Sequence, residues 1–386
     1  MGMEEWKKYK LGELLSIRYG KDHKKLNDGI IPVYGSGGIM RYVNQSIYDS
    51  PSILIPRKGS LNNIIYTETP FWTVDTMFWT IVNTKLADPK YLYYAICKFD
   101  FAGLNVGSAV PSLTVPIIGN INIILPSLNK QKNIVNILSI LDNKIELNHR
   151  INANLEQQAQ ALFKSWFVDF EPFKDGKFVD SELGMIPEGW KVGTIGDYSK
   201  IRSGFAFKSS WWTDKGVKIV KIKNISSSGN LDMNDCSYIS KENTLKAKEF
   251  SLKPGDLLIA MTGATIGKFC IVPILKEEMY VNQRVGKFFL GEEPILKVPF
   301  IYGLLKSENI ISQIINKGQG SAQPNISAND IETISIILPP KDIISKYNEL
   351  VSPYFSLLIE NLNQCDYLAN LRDTLLPKLM SGELQI

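Results

Sequence analysis

GSAVPSLTVPIIGNINIILP occupies residues 107–126, and GSAQPNISANDIETISIILP occupies residues 320–339. The two stretches align without a gap at an offset of 213 residues, with identities at Gly107/Gly320, Ser108/Ser321, Ala109/Ala322, Pro111/Pro324, Ile118/Ile331, Ile121/Ile334, Ile123/Ile336, Ile124/Ile337, Leu125/Leu338 and Pro126/Pro339. A long amphipathic stretch follows each copy at once, so the repeated unit is a globular domain plus a helix. The 386 residues suit two domains of about 130 to 155 residues, each large enough for its own core.

The similar phrases Trp6-Lys-Lys-Tyr-Lys-Leu-Gly-Glu-Leu and Trp190-Lys-Val-Gly-Thr-Ile-Gly-Asp-Tyr open the two copies. A loop containing Pro172, Gly176, Gly184, Pro187 and Gly189 separates them and reads as the domain boundary. Short β-branched runs at Ser52–Ile55, Val217–Ile222, Leu257–Ala260 and Ile334–Leu338, punctuated by Gly, Asn and Pro, predict strands. Helical spacing predicts helices over 88–99 and 297–315. The fold class is therefore α+β. Expected divisions are a first globular domain over 1–130, a helical region over 131–172, a linker over 173–189, a second globular domain over 190–341 and a helical region over 342–386.

From Gln131 to about Phe163 there is neither Pro nor Gly, and Ile134, Leu138, Leu141, Ile145, Asn148, Asn152, Leu155, Ala159 and Leu162 recur in steps of four and three. That is a heptad seam. The second copy gives Tyr347, Leu350, Tyr354, Leu357, Asn361, Gln364, Leu368, Leu371 and Leu375, with Asn148 falling on Asn361. A helix this long spans about 50 Å and needs a partner. Its repeat mate is the economical one, which gives an antiparallel pair separating two similar domains with pseudo-twofold symmetry. Asn148 and Asn361 are expected to lie close together and fix register, unless both are exposed. Pro353 should bend the second helix and Pro377 should end or kink it.

The charge of +4, with 44% hydrophobic and 21% charged residues, describes a folded chain that can present a phosphate-binding face without being obliged to. Cys97, Cys236, Cys270 and Cys365 are scattered and, with only His23 and His149, form no metal-ligand spacing. Free reduced thiols, no apolar leader and no long apolar run make the cytoplasm the expected location. Thr262–Phe269 fails as a P-loop, because Thr262 replaces the first Gly and Phe269 the magnesium-binding hydroxyl. Hydrolase, metalloprotease and methyltransferase signatures do not occur. The expectation is a chain without catalytic residues, metal or bound cofactor.

What remains are loops mixing glycine, amide, hydroxyl and basic residues, which suit phosphate and base-edge contacts. Candidate DNA-binding residues are Gly35, Ser36, Arg57, Lys58, Gly59, Trp72 and Thr73 in the first copy. The second offers Thr262, Gly263, Thr265, Asn282, Gln283 and Arg284.

The order of phrases resembles the specificity subunit of type I restriction-modification enzymes over essentially the whole chain. Pro32–Ile39, Ser52–Ser60 and Pro70–Thr76 look like one target-recognition domain of that family. Ser203–Ser210, Leu252–Ile259, Gly263–Gly267 and Val281–Arg284 look like another. Leu155–Phe163 with Trp166 and Phe167, and Leu371–Leu384, resemble the ends of the family's two helical regions. The resemblance implies two DNA-reading domains separated by an antiparallel coiled coil, each reading half of a bipartite double-stranded target. It also implies two modification subunits that methylate adenine with S-adenosylmethionine, and restriction subunits that use ATP and Mg.

Modification subunits are expected on Leu155, Leu162, Phe163, Trp166, Phe167, Leu371, Leu375, Leu376, Leu379 and Met380, taken as an exposed apolar surface. Alternatively those residues only cap the coil. A 50 Å spacer corresponds to about 15 base pairs, leaving an unread gap of about 5 to 10. The rival reading is a repeated-domain scaffold for protein or carbohydrate.

Overall fold

The computed structural model describes residues 6–107, 110–226, 229–319 and 324–384. The repeated Ser108/Ser321, Ala109/Ala322 and Gly320 lie outside the described residues. Two compact units divide the chain: Met1–Asn143 with Leu368–Ile386, and Lys144–Tyr367. These differ from the expected linear division, because the last stretch of chain packs with the first unit and the cut falls within the long helices.

Each repeated phrase closes its own unit. Lys7–Lys10 pairs antiparallel with Asn122–Leu125, and Lys191–Thr194 pairs antiparallel with Ser335–Leu338. A one-turn helix follows each opening strand, Leu11–Leu14 and Ile195–Tyr198. Its first amide donates to the Ile121 carbonyl in one unit (2.8 Å) and to the Ile334 carbonyl in the other (3.0 Å), positions matched by the 213-residue offset. In both, a carboxylate three residues on accepts from the backbone N–H before the helix: Glu13 from Lys10 at 2.6 Å and Asp197 from Thr194 at 2.8 Å. Such a carboxylate satisfies the backbone amide that enters the first helical turn.

The central sheets also match. In the first unit Leu15–Tyr19, Met77–Val82, Ser52–Pro56 and Ile65–Thr67 lie side by side in that order, all antiparallel. In the second the order is Ile201–Ser203, Val285–Phe288, Leu257–Ala260 and Phe269–Ile271. Ser52–Pro56 and Leu257–Ala260 are buried at every position, which is why both read as short uninterrupted apolar runs. A further sheet, of three strands in the first unit and four in the second, contains one parallel pair: Val33 and Tyr34 with Trp72 and Thr73, and Lys218–Val220 with Met279–Val281.

Predicted helix 88–99 is Pro89–Ile96, capped by Asp88, whose carboxylate accepts from the Lys90 and Tyr91 amides. The predicted 297–315 helix is two helices, Val298–Lys306 and Glu308–Lys317, because Ser307 is extended (φ −69°, ψ 126°). Leu128–Phe167 and Lys341–Ser381 are the long helices. The second runs through Pro353 and continues past Pro377, so of the two outcomes expected at Pro377, an end or a kink, the end does not occur.

The 173–189 segment is not a loose linker. Phe178–Val179 and Ile186–Pro187 form a small hairpin. Phe170 and Phe173 set their rings 5.5 Å and 5.0 Å from that of Trp190, and Ile186 and Trp190 belong to the core of the second unit.

The apolar face expected to be exposed lies in or against the cores of the two units, a further correction. Phe163 and Phe167 are buried in the second unit among Phe300, Tyr347 and Trp190, with Leu155, Leu162 and Trp166 packed alongside. Gly303 faces Phe163 so closely that a Cβ there would strike the ring. Leu379 is buried in the first unit, and Leu375, Leu376 and Met380 pack around it, while Leu371 is half-buried. These side chains are apolar because they anchor helix ends to their own units.

Candidate nucleic-acid interface

The two long helices are joined within each unit by polar contacts in a largely apolar seam. In the second unit Asn148 Nδ2 donates to Gln364 Oε1 at 2.7 Å, and Asn361 Nδ2 donates to Asn152 Oδ1 at 2.9 Å. Asn152 Nδ2 also donates to the Leu358 carbonyl. Asn148, Asn152 and Asn361 are all buried. The two asparagines expected to meet therefore each pair with a residue close to the other, in two nearly equivalent amide–amide bonds. As the first helix advances its partners recede, from Gln364 for Asn148 to Tyr347 for Ala159, so the segments run antiparallel. In the first unit Arg372 Nη1 donates to Asp142 at 2.9 Å, and Tyr94 donates to the same carboxylate.

In each unit an equivalent backbone frame stands beside one cleft. Arg57 N donates to the Thr76 carbonyl (2.8 Å), and Met261 N donates to the Arg284 carbonyl (3.1 Å). Lys58 bridges Ser112, and Thr262 bridges Asn325. Gly59 N donates to the Pro111 carbonyl, and Gly263 N donates to the Pro324 carbonyl, at 3.1 Å and 2.9 Å. Both glycines have positive φ, +89° and +70°, a conformation that disfavours any side chain. These bonds place Lys58 on Thr262, Asp75 on Gln283 and Thr76 on Arg284.

A second pair of matched glycines is held against the strands that follow Asp75 and Gln283. Gly20 N donates to the Met77 carbonyl and Gly204 N to the Val285 carbonyl. A Cβ on Gly20 would collide with the Val74 and Thr73 carbonyls, and one on Gly204 would lie 2.5 Å from the Asn282 and Val281 carbonyls. Composition alone does not single these glycines out; their signal is position, immediately after a strand in both copies.

The first cleft is lined by Lys24, Gly35, Ser36, Met40, Asp75 and Thr76 among others. Gly35 is buried at a strand end and Ser36 sits in the turn. Gly59 abuts Ser36, where a Cβ would stand 2.8 Å from its Oγ, and Asn63 Nδ2 donates to the Ser36 carbonyl at 2.9 Å. The structure thus brings together the 34–38 and 57–63 loops. Arg57 is half-buried, its guanidinium over the Tyr19 ring at 5.3 Å and donating to the Asp75 carbonyl at 3.2 Å. Trp72 donates from Nε1 to the Lys21 carbonyl (2.9 Å) and packs against Val33, Val43 and Val74. Thr73 is fully buried. It is a core residue, which corrects its reading as a DNA contact.

The second cleft is lined by Ser203, Thr262, Gln283, Arg284, Asn325 and Ser327 with neighbouring backbone. Gln283 and Arg284 are exposed, and no side-chain hydrogen bond ties either one among the described residues. Thr262 is buried with an unpartnered Oγ1. Thr265 turns inward, donating to the Thr262 carbonyl at 2.9 Å. Asn282 is buried beneath its neighbours, so it too is a support rather than a reader. The adjacent loop holds Lys221 Nζ over the Trp212 ring at 3.6 Å, and burial together with the Lys223 charge lowers the Lys221 pKa.

Among the described residues no group of three His, Cys, Asp or Glu is placed to hold a metal, and no helix is long and apolar enough to cross a membrane.

Comparison with known proteins agrees with this duplicated arrangement. A family model described as the type I restriction modification DNA specificity domain matches residues 3–157 and again 187–364. The MjaIX specificity subunit of Methanocaldococcus jannaschii, a type I restriction enzyme component, is 30% identical over 353 residues, covering 88% of this chain and 79% of that protein. The MjaVIII specificity subunit of the same organism is 28% identical over 402 residues, covering 99% and 94%. The crystal structure of a type I restriction-modification S subunit from M. genitalium superposes with a TM-score of 0.60 at 16% identity, covering 97% of this chain and 96% of that one. At that identity the likeness speaks for the fold.

Proposed function

This chain belongs to the type I restriction-modification DNA specificity family, and from that premise we propose that its two matched clefts read the two halves of one bipartite duplex target. It is a specificity subunit: it recognises DNA sequence and leaves catalysis to other subunits. The observation that carries the cleft assignment is that one backbone frame, repeated in both units, presents Lys58, Asp75 and Thr76 in one and Thr262, Gln283 and Arg284 in the other. A conserved frame with exchanged side chains is what reading two different sequences requires, since specificity comes from base-edge contacts and orientation from the backbone.

The long helices act as an antiparallel coiled-coil spacer between the readers, a role supported by the buried amide pairs and the Arg372–Asp142 contact. Two modification subunits, bearing S-adenosylmethionine, dock through surfaces related by the repeat, and restriction subunits with ATP and Mg join them. Because Phe163, Phe167 and Leu379 are buried, docking uses the half-buried faces of Leu155, Leu162, Trp166, Leu371, Leu375, Leu376 and Met380 or exposed neighbours.

The test is duplex binding by the assembled complex across a salt series. Affinity should fall steeply with salt and depend on two separated half-sites. Binding indifferent to sequence, or preference for a protein or carbohydrate ligand, would return the scaffold reading.

A further inference from the structure

Asp75 has no place in a phosphate-binding cleft on charge grounds. It is exposed at the cleft wall, and no Lys or Arg among the described residues forms an ion pair with its carboxylate. Among the described residues it is tied through the backbone, where its carbonyl accepts from Arg57. A carboxylate facing DNA repels phosphate, and accepting a hydrogen bond from a base accounts for its place in the cleft.

Its equivalent position sharpens the point. Asp75 and Gln283 stand at the same place in the two units, one residue before the carbonyl that receives the Arg57 or Met261 amide. Both side chains are exposed and both line their clefts. The two side chains differ in chemistry: a carboxylate can only accept, whereas a primary amide donates and accepts at once.

Major-groove patterns separate what these two can select. Cytosine N4 offers a donor bordered on one side by a carbon-bound hydrogen. Adenine N6 lies between two acceptors, its own N7 and the thymine O4, which repel a carboxylate and suit an amide.

We infer that Asp75 and Gln283 are equivalent base-selecting positions, Asp75 requiring a C·G pair in the first half-site and Gln283 an A·T pair in the second. This rests on the assignment of the clefts as DNA readers.

The experiment is selection of bound duplexes from a pool randomised over both half-sites, using the complex assembled from full-length chain and modification subunits. Asp75→Gln is compared with the native chain, and Asp75→Asn serves as the conservative control. The expected result is that Asp75→Gln changes one position of one half-site from C·G to A·T and leaves the other half-site untouched. Affinity for the original site should fall about five- to a hundred-fold. Asp75→Asn should lose the C·G requirement at that same position. An unchanged C·G preference, or a sensitive position that is A·T in the native selection, overturns the assignment of Asp75. Native complex that selects no sequence at all overturns the cleft reading itself. Retention of the other positions of the first half-site by the variants shows that their first unit is folded.

Discussion

Asn361 donates a buried hydrogen bond to Asn152, 2.9 Å between Nδ2 and Oδ1, in the seam between the two long helices of the second unit. Removing one partner strands the other, so Asn361→Leu should destabilise the chain by about 1 to 3 kcal/mol. Asn152→Leu with Asn361→Leu should recover much of that loss, because apolar pairs suit a heptad seam. Chemical denaturation of both variants checks this; a double variant no better than the single would show that the pair is not coupled.

Lys287 and Asp256 form an ion pair at 2.6 Å with both side chains buried, and Lys287 also donates to the Ser251 carbonyl. Lys287→Met leaves a buried carboxylate without its cation and should cost about 3 to 5 kcal/mol. Thermal unfolding reads it. A shift no larger than that of a surface substitution would contradict the burial of this pair.

Phe163 fills the space left by Gly303 and contacts the rings of Phe300 and Tyr347. Phe163→Ala should therefore destabilise the second unit by about 3 to 5 kcal/mol. Protease sensitivity should rise in that unit first. Loss of modification-subunit binding with stability unchanged would restore the reading of Phe163 as a docking residue.

Arg284 is exposed at the second cleft with no side-chain partner among the described residues. Arg284→Ala should weaken specific binding by about 1 to 3 kcal/mol and relax preference at one position of one half-site. Competition binding against single-base variants of the target measures both. Equal weakening toward every sequence would make Arg284 a phosphate contact instead.

The repeated phrase was legible because its residues work on backbone: Ile123 and Ile336 are buried strand positions, and Ile118 and Ile331 are buried helix positions. Such positions tolerate little change, so the two copies still resemble each other. The matching of the clefts was not legible. Lys58 shares nothing chemical with Thr262, nor Asp75 with Gln283, and the backbone bonds around them reveal that they correspond. Apolar helix faces misled in one respect, since an apolar residue such as Phe163 or Leu379 does not say whether its own unit or a partner subunit covers it. The extended backbone at Ser307, which splits one expected helix in two, also follows from local geometry that the spacing of Leu304, Leu305 and Ile311 does not reveal.

The most direct test of two dissimilar readers on one repeated frame is to map the methylated adenines in DNA treated with this chain and its modification subunits. The account predicts one asymmetric target: two different half-sites separated by a constant gap of about 5 to 10 unread base pairs. Two identical half-sites in inverted orientation, or a single uninterrupted site, would contradict it.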